Sequence, residues 1–410
     1  MKLQILDIRN ISVNETLYNL NAHQNGAPYW LEFVKSHLEE IDVEVLLGTF
    51  DKIDKSKNWF ISLAPLAWNW AAFTGDIISD LPIEIQKEIL YGNGYLILNH
   101  ECESFTESFF DKLYNILKNS KISPTKILYM VGAADVSREY LYYVKKHNLP
   151  KDQQIAVMSS FHVYKRLQFN LQDFDYDLKS KKEKKFLSLN RVGRNHRAML
   201  VGLLSHYNLI DSGFVSLGVQ KDEGPSIVNE LKITVSNVRE QVFSGLEKIA
   251  EQLPLQIDNI DLQINQFNTT SLPSYFYEKS CFSLVSSTFG LAMNEPSVGF
   301  TEKEIKPILY KHPFIIYNLP GTLKHLKSMG FLTFGKWFDE SYDDELDDLI
   351  RLDKIVAEVA RLSNISFDEW DRMLIEMRPI LLHNYNRLTK YNTEHCFFNS
   401  DLKNFLYYVS

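Results

Sequence analysis

Lys126-Ile127-Leu128-Tyr129-Met130-Val131, stopped by Gly132, is an apolar run of strand length. A stretch of helical period follows from Ser137 to His147, and then a second apolar run, Gln154-Ile155-Ala156-Val157-Met158. Upstream, Tyr95-Leu96-Ile97-Leu98 reads as a strand and Phe105 to Asn119 as an amphipathic helix. Near-continuous apolar strands alternating with helices are the pattern of a parallel sheet covered by helices, so the fold class is α/β. The opening Met1-Lys2-Leu3-Gln4-Ile5-Leu6-Asp7-Ile8 reads as a first strand and is too short and polar for a signal peptide.

Beyond Met158 the pattern breaks. Asp173-Phe174-Asp175-Tyr176-Asp177 runs into Lys179-Ser180-Lys181-Lys182-Glu183-Lys184-Lys185, and this charged stretch reads as a solvated interdomain linker. The alternation then restarts. Phe186-Leu187-Ser188-Leu189-Asn190 is a strand, His196 to Tyr207 a helix, and Asp211-Ser212-Gly213 a turn before extended Phe214 to Leu217. A helix is expected from Val235 to Leu253 and a strand at Cys281 to Val285. A short helix from Thr322 to Met329 has Thr322 as N-cap and Gly330 as its stop, and a long helical period runs from Phe367 to Asn386. The expected organisation is a Rossmann-like domain over 1–178, a second over 179–385, and a tail over 386–410 that packs back on the first. In tandem sheets of this kind a ligand sits in the cleft outside the carboxyl ends of the strands.

The chain has 410 residues and a net charge of -8, so no global basic field draws it to nucleic acid or an anionic membrane. Cys102, Cys281 and Cys396 lie too far apart for metal-ligand spacing and read as reduced thiols of a cytoplasmic protein. The most apolar stretch, Trp59 to Phe73, contains Pro65 and Asn69 and falls short of the roughly 20 residues a bilayer span needs. No membrane segment is expected.

Two places carry chemistry. Arg191-Val192-Gly193-Arg194-Asn195-His196-Arg197 follows the strand ending at Asn190, and its arginines are spaced by three, which on a helix would put them on one face. The second is Gly299-Phe300-Thr301-Glu302-Lys303, then Lys306-Pro307 and an apolar run Pro313-Phe314-Ile315-Ile316-Tyr317. An acid and a base side by side at a helix start suit a nucleotide diphosphate: the carboxylate accepts from the ribose diol, and the cation and backbone N–H groups meet phosphate. Because a proline belongs in a first helical turn, Pro307 places the helix start near Lys306, with Glu302 and Lys303 in the preceding loop.

On these residues the chain resembles the GT-B glycosyltransferases of the fucosyltransferase type. It looks closer still to glycosyltransferase-like proteins of tailed-phage and other viral genomes. The strand Phe186 to Asn190, an arginine at Arg194 or Arg197, and the turn Ile210-Asp211-Ser212-Gly213 are similar to one family motif. Phe300-Thr301-Glu302-Lys303 followed by His312-Pro313-Phe314-Ile315-Ile316 is similar to another. The resemblance spans roughly residues 185 to 340. It implies two Rossmann-like domains facing across a cleft, with a nucleotide-sugar donor held by the second. Arg197 then falls on the family's phosphate-binding arginine, Glu302 on its ribose-binding glutamate and Lys303 on its phosphate-binding lysine. It also implies an inverting, metal-independent transfer with no cofactor besides the donor. The acceptor would be a glycan, a protein or a modified DNA carrying a hydroxymethylated base.

Such a transfer needs a base for the acceptor hydroxyl. Asn99-His100-Glu101-Cys102-Glu103 follows the strand Tyr95 to Leu98 and offers Glu101 first, then Glu103 or His100. An acid pair at a helix N-terminus is the plain alternative. The Asp-x-Asp spacing at 173–177 and the acids at 343–348 read as solvated segments, and Trp59, Trp68 and Trp70 as core. No Gly-x-x-x-x-Gly-Lys-Ser/Thr loop is present, which argues against a P-loop kinase. The competing readings are a non-catalytic nucleotide- or sugar-binding module and another phosphate-binding transferase.

Overall fold

The apolar runs become strands because their alternate residues can be buried on both faces of a sheet. The computed structural model describes residues 2–6, 44–63, 78, 81–100, 107–131, 136–159, 180–257, 274–287 and 302–394. The chain divides into two units, residues 1–169 with 392–410 and residues 170–391. The boundary expected at 178–179 lies outside the described residues; of the tail expected over 386–410 only 386–394 is described, as the end of a helix that runs to Glu394.

In the first unit β1 (Lys2–Leu6), β2 (Glu44–Gly48), β3 (Trp59–Leu63), β4 (Gly94–His100), β5 (Ile127–Val131) and β6 (Ala156–Ser159) form one sheet in the order β2-β1-β3-β4-β5-β6. Every pairing in it is parallel. The helices α1 (Ile83–Tyr91), α2 (Glu107–Asn119) and α3 (Val136–Lys146) alternate with these strands. Trp59, Ile61, Leu96, Leu98 and Tyr129 of the sheet pack with Phe110, Leu113, Tyr140 and Tyr143 of α2 and α3. Trp59 is thus core, as expected.

In the second unit β7 (Lys184–Ser188), β8 (Gly213–Val215), β9 (Ser280–Ser286) and β10 (Phe314–Tyr317) lie in the order β10-β9-β7-β8, again all parallel. The helices are α4 (Asn195–His206), α5 (Gly224–Thr234), α6 (Glu240–Ile249), α7 (Ser274–Glu278), α8 (Glu302–Leu309), α9 (Thr322–Ser328), α10 (Asp348–Ser363) and α11 (Phe367–Glu394). Helix α4 is buried without interruption from His196 to Ser205, so it is a central element rather than an amphipathic cover. Its crossing with α6 is close enough that a Cβ on Gly245 would stand 1.7 Å from the Gly202 carbonyl oxygen. Trp370 of α11 is fully buried and stacks on Phe282 of β9 at 5.4 Å.

Several expectations are corrected. The helix expected from Val235 to Leu253 starts later and is shorter: Val235 is the C-cap of α5, Asn237 takes a positive φ of 62°, and α6 runs only from Glu240 to Ile249. Its β-branched first turns belong to the break. Thr322 is inside α9, not its N-cap, because Gly321 at φ 79° makes the turn. The cap comes from elsewhere: the buried Asp343 carboxylate accepts from Leu323 N at 2.8 Å and Lys324 N at 2.9 Å. Asp343 is therefore not part of a solvated acidic face. Glu340 accepts from Phe334 N at 2.7 Å and Thr333 Oγ1 at 2.8 Å, so this acid too is structural.

The lysine run is likewise not a solvated linker at its carboxyl end. Lys182 is only 4% exposed and donates to Glu278 O at 2.7 Å. Lys184 and Lys185 open β7 and donate to Asp211 O at 2.6 Å and Ile365 O at 2.5 Å. Carbonyls at the ends of helices accept cations well, because they carry the negative end of the helix dipole.

Candidate functional site

The chain passes from β7 to β8 on one side, then crosses to β9 on the other side of β7 and on to β10. The direction of winding therefore reverses between β7 and β9. At such a switch point the loops leaving the two strands diverge and open a crevice at their carboxyl ends. β7 leads there into the arginine cluster and α4. β9 ends there in Ser286 and Ser287, and α8 starts with Glu302 and Lys303 on the way to β10.

The loop after β7 is tightly held. Asn190 N donates to Ser216 Oγ at 2.9 Å, and Asn190 O accepts from Gly218 N at 2.8 Å. Only glycine fits at 218, because a Cβ there would stand 1.6 Å from Arg191 O. The loop enters α4 with Arg194 as N-cap, no side-chain cap and no acid in the first turn. This departs from the neighbours. α9 is capped by Asp343, and α10 by Asp347, which accepts from Leu349 N and Ile350 N. α6 also begins after an arginine, but has Glu240 in its first turn, and Arg239 is paired to Asp353. An arginine cap at a positive helix end is electrostatically unfavourable, and an anion at that end would offset it.

The three arginines do not share a helix face, because the helix starts only at Asn195. Arg191 is exposed in the loop, Arg194 is half-buried at the cap, and Arg197 is 3% exposed. Arg197 uses its guanidinium on the backbone, donating from Nη1 to Val192 O at 3.0 Å and from Nη2 to Ser287 O at 2.9 Å. His196, 5% exposed, lies with Nε2 2.9 Å from the same Ser287 carbonyl. As a carbonyl only accepts, Nε2 carries the proton and donates. Burial pushes His196 down to about 3; Arg197, Arg194 and Lys303 press the same way, against the bond to Ser287 O. The imidazole is thus neutral, and the positive charges of the β7–α4 loop and of α8 favour that state.

Around it the carboxyl edge is polar but underused. Asn190 Oδ1, Ser286 Oγ, Ser287 Oγ and Tyr317 Oη are buried without a hydrogen-bond partner among the described residues. Ser286 stands opposite Tyr317 in the β9–β10 register, and the His196 ring meets the Tyr317 ring edge-on at 6.0 Å. Buried polar atoms left this way cost about 1–3 kcal/mol each unless water or a ligand completes them.

Helix α8 begins at Glu302, not at Lys306, and carries Pro307 inside it. The position is tolerated because a helix this short loses only one further internal bond to the missing N–H. Glu302 and Lys303 therefore form the first turn, with Lys303 half-buried. Phe300 and Thr301 lie outside the described residues, as do Glu101, Glu103 and the acids at 173–177. His100 is the last residue of β4, opposite Val131. In the first unit the winding reverses between β1 and β3. His312 is a core residue: fully buried, it bonds Ser283 Oγ at 2.8 Å and Ser280 O at 3.0 Å, and burial holds it down to about 3. Cys281 is buried in β9, which pushes its thiol up to about 12.

Ser286, Ser287 and Tyr317 were not singled out as site residues by sequence. The available signal was polar residues closing otherwise apolar runs at strand ends. Among the described residues no group of three His, Cys, Asp or Glu side chains is placed to hold a metal, and no helix is long and apolar enough to cross a membrane. Comparison with protein-family models and with curated proteins finds no match.

Proposed function

We propose that the chain is a glycosyltransferase of the GT-B type whose second unit binds a nucleotide diphosphate sugar. The observation that carries this reading is the arginine-capped start of α4 at a topological switch point, where His196 and Arg197 meet Ser287 O and the buried Asn190 Oδ1, Ser286 Oγ and Tyr317 Oη have no partner among the described residues. A departing diphosphate develops charge that such preorganised cations and N–H groups stabilise. Lys303 and the first turn of α8 meet phosphate in this reading, and Glu302 holds the ribose. The neutral Asn190, Ser286 and Tyr317 groups supply hydrogen-bonding capacity beside the charged ones. Glu101 takes the acceptor proton, with Glu103 or His100 in reserve, at the carboxyl end of β4. The acceptor is a glycan, a protein hydroxyl or a hydroxymethylated DNA base.

A thermal-shift series of nucleoside diphosphates and their sugars tests the binding step, followed by donor hydrolysis for turnover. Stabilisation by a nucleoside diphosphate, and hydrolysis lost in Glu302→Ala, are expected. Stabilisation without turnover would favour a binding module. No stabilisation by any of them would end the reading.

A further inference from the structure

We propose that Arg197 and His196 are positioning residues that lock the end of β9 to the loop after β7, while Arg194 and Lys303 meet the phosphate charge. This rests on the diphosphate reading above, and assigns its cations to different tasks.

The Ser287 carbonyl accepts from both His196 Nε2 and Arg197 Nη2, each at 2.9 Å. The other arm of the same guanidinium reaches Val192 O at 3.0 Å. One planar fork therefore spans the β7–α4 loop and the last turn of chain before it leaves β9. A guanidinium fixes the separation of two carbonyls; an ammonium is a point charge with no such fork. Ser287 is where the chain departs toward α8, so this bracket sets the starting point of the segment that delivers Lys303. His196 serves as a donor without adding charge, because it stays neutral. Arg194 and Lys303 differ from this pair. They are half-buried, they sit at the starts of α4 and α8, and both are near enough to act on the His196 charge.

The test measures binding of inorganic pyrophosphate to the full chain over a range of salt concentrations. A cation that touches the anion contributes to the salt dependence, so Arg194→Gln and Lys303→Gln should bind more weakly with a shallower dependence. Arg197→Lys keeps the charge and loses the fork, and should weaken binding by about tenfold. His196→Phe removes a neutral donor and should weaken binding with the salt dependence unchanged, whereas His196→Gln, whose amide can donate to Ser287 O, should restore most of it. The proposal is overturned if Arg197→Lys binds like the wild type, or if His196→Phe does. Should Arg197→Lys not fold, the two His196 variants decide alone. Absence of pyrophosphate binding by the wild type would overturn the diphosphate reading and this assignment together, an outcome distinct from unaffected variants.

Discussion

β7 carries positive charge at both ends, and the two ends treat it differently. At its amino end Lys182, Lys184 and Lys185 donate to Glu278 O, Asp211 O and Ile365 O. Two of these carbonyls close or follow helices, α7 and α10, where the dipole favours a cation. At its carboxyl end Arg194 and Arg197, with the neutral His196 between them, crowd the amino end of α4, where the dipole opposes a cation. Charge at the first end is stabilised by the fold. Charge at the second raises local potential that an arriving anion relieves. The difference separates lysines whose charge the helix ends stabilise from arginines whose charge a helix start opposes.

The largest expected effect comes from the carboxyl end. Gly218→Ala drives a Cβ into Arg191 O. It should cost about 3 kcal/mol in chemical denaturation and abolish diphosphate binding, since the loop must move. An unaffected variant would show that the loop does not depend on this contact.

At the amino end, Lys182→Met keeps the stem and deletes the bond to Glu278 O. A loss of about 2 kcal/mol with unchanged pyrophosphate affinity is expected. Loss of affinity instead would erase the distinction between the two ends.

Acid titration sharpens the comparison further. His196 and His312 are held down to about 3 in the folded chain, against an ordinary value of 6.5. Above pH 6.5 neither state takes up these protons and stability is flat. As pH falls from 6.5 toward 3, the unfolded chain binds protons that the folded chain refuses. Stability should drop by about 1.4 kcal/mol per pH unit for each histidine. Urea midpoints measured across that window check it, and His196→Gln should reduce the slope by one proton.

The smallest effect on stability is expected for Arg194→Ala. Without ligand its midpoint should stay within about 0.5 kcal/mol of the wild type, or rise, because a cation is removed from a positive helix end. Its pyrophosphate affinity should still fall. A marked loss of stability would place Arg194 with the lysines.

The strands were readable because runs such as Lys126 to Val131 and Cys281 to Val285 are apolar on both faces, and burial on both faces has no other outcome at that length. The junction after β7 was readable too, since Asn190 and the arginine cluster do follow it; the start of α8 was not, because Pro307 pointed to Lys306 and the helix begins at Glu302. What failed was anything decided by a distant acceptor. Lys182 looks solvated until Glu278 O is brought to it. Asp343 looks like surface charge until the amino end of α9 needs a cap. Arg197 gives no sign in the sequence of the two carbonyls, Ser287 O and Val192 O, that its fork spans. Val235 looked helical because hydrophobicity carries no mark of where a chain turns.

The contact of Gly202 with Gly245 leaves α4 no slack. Backbone rests on backbone there, with no side chain between to compress or swing aside. Neither glycine has room for a Cβ, so α4 and α6 are fixed against each other and α4 is a stiff base for the loop ahead of Asn195.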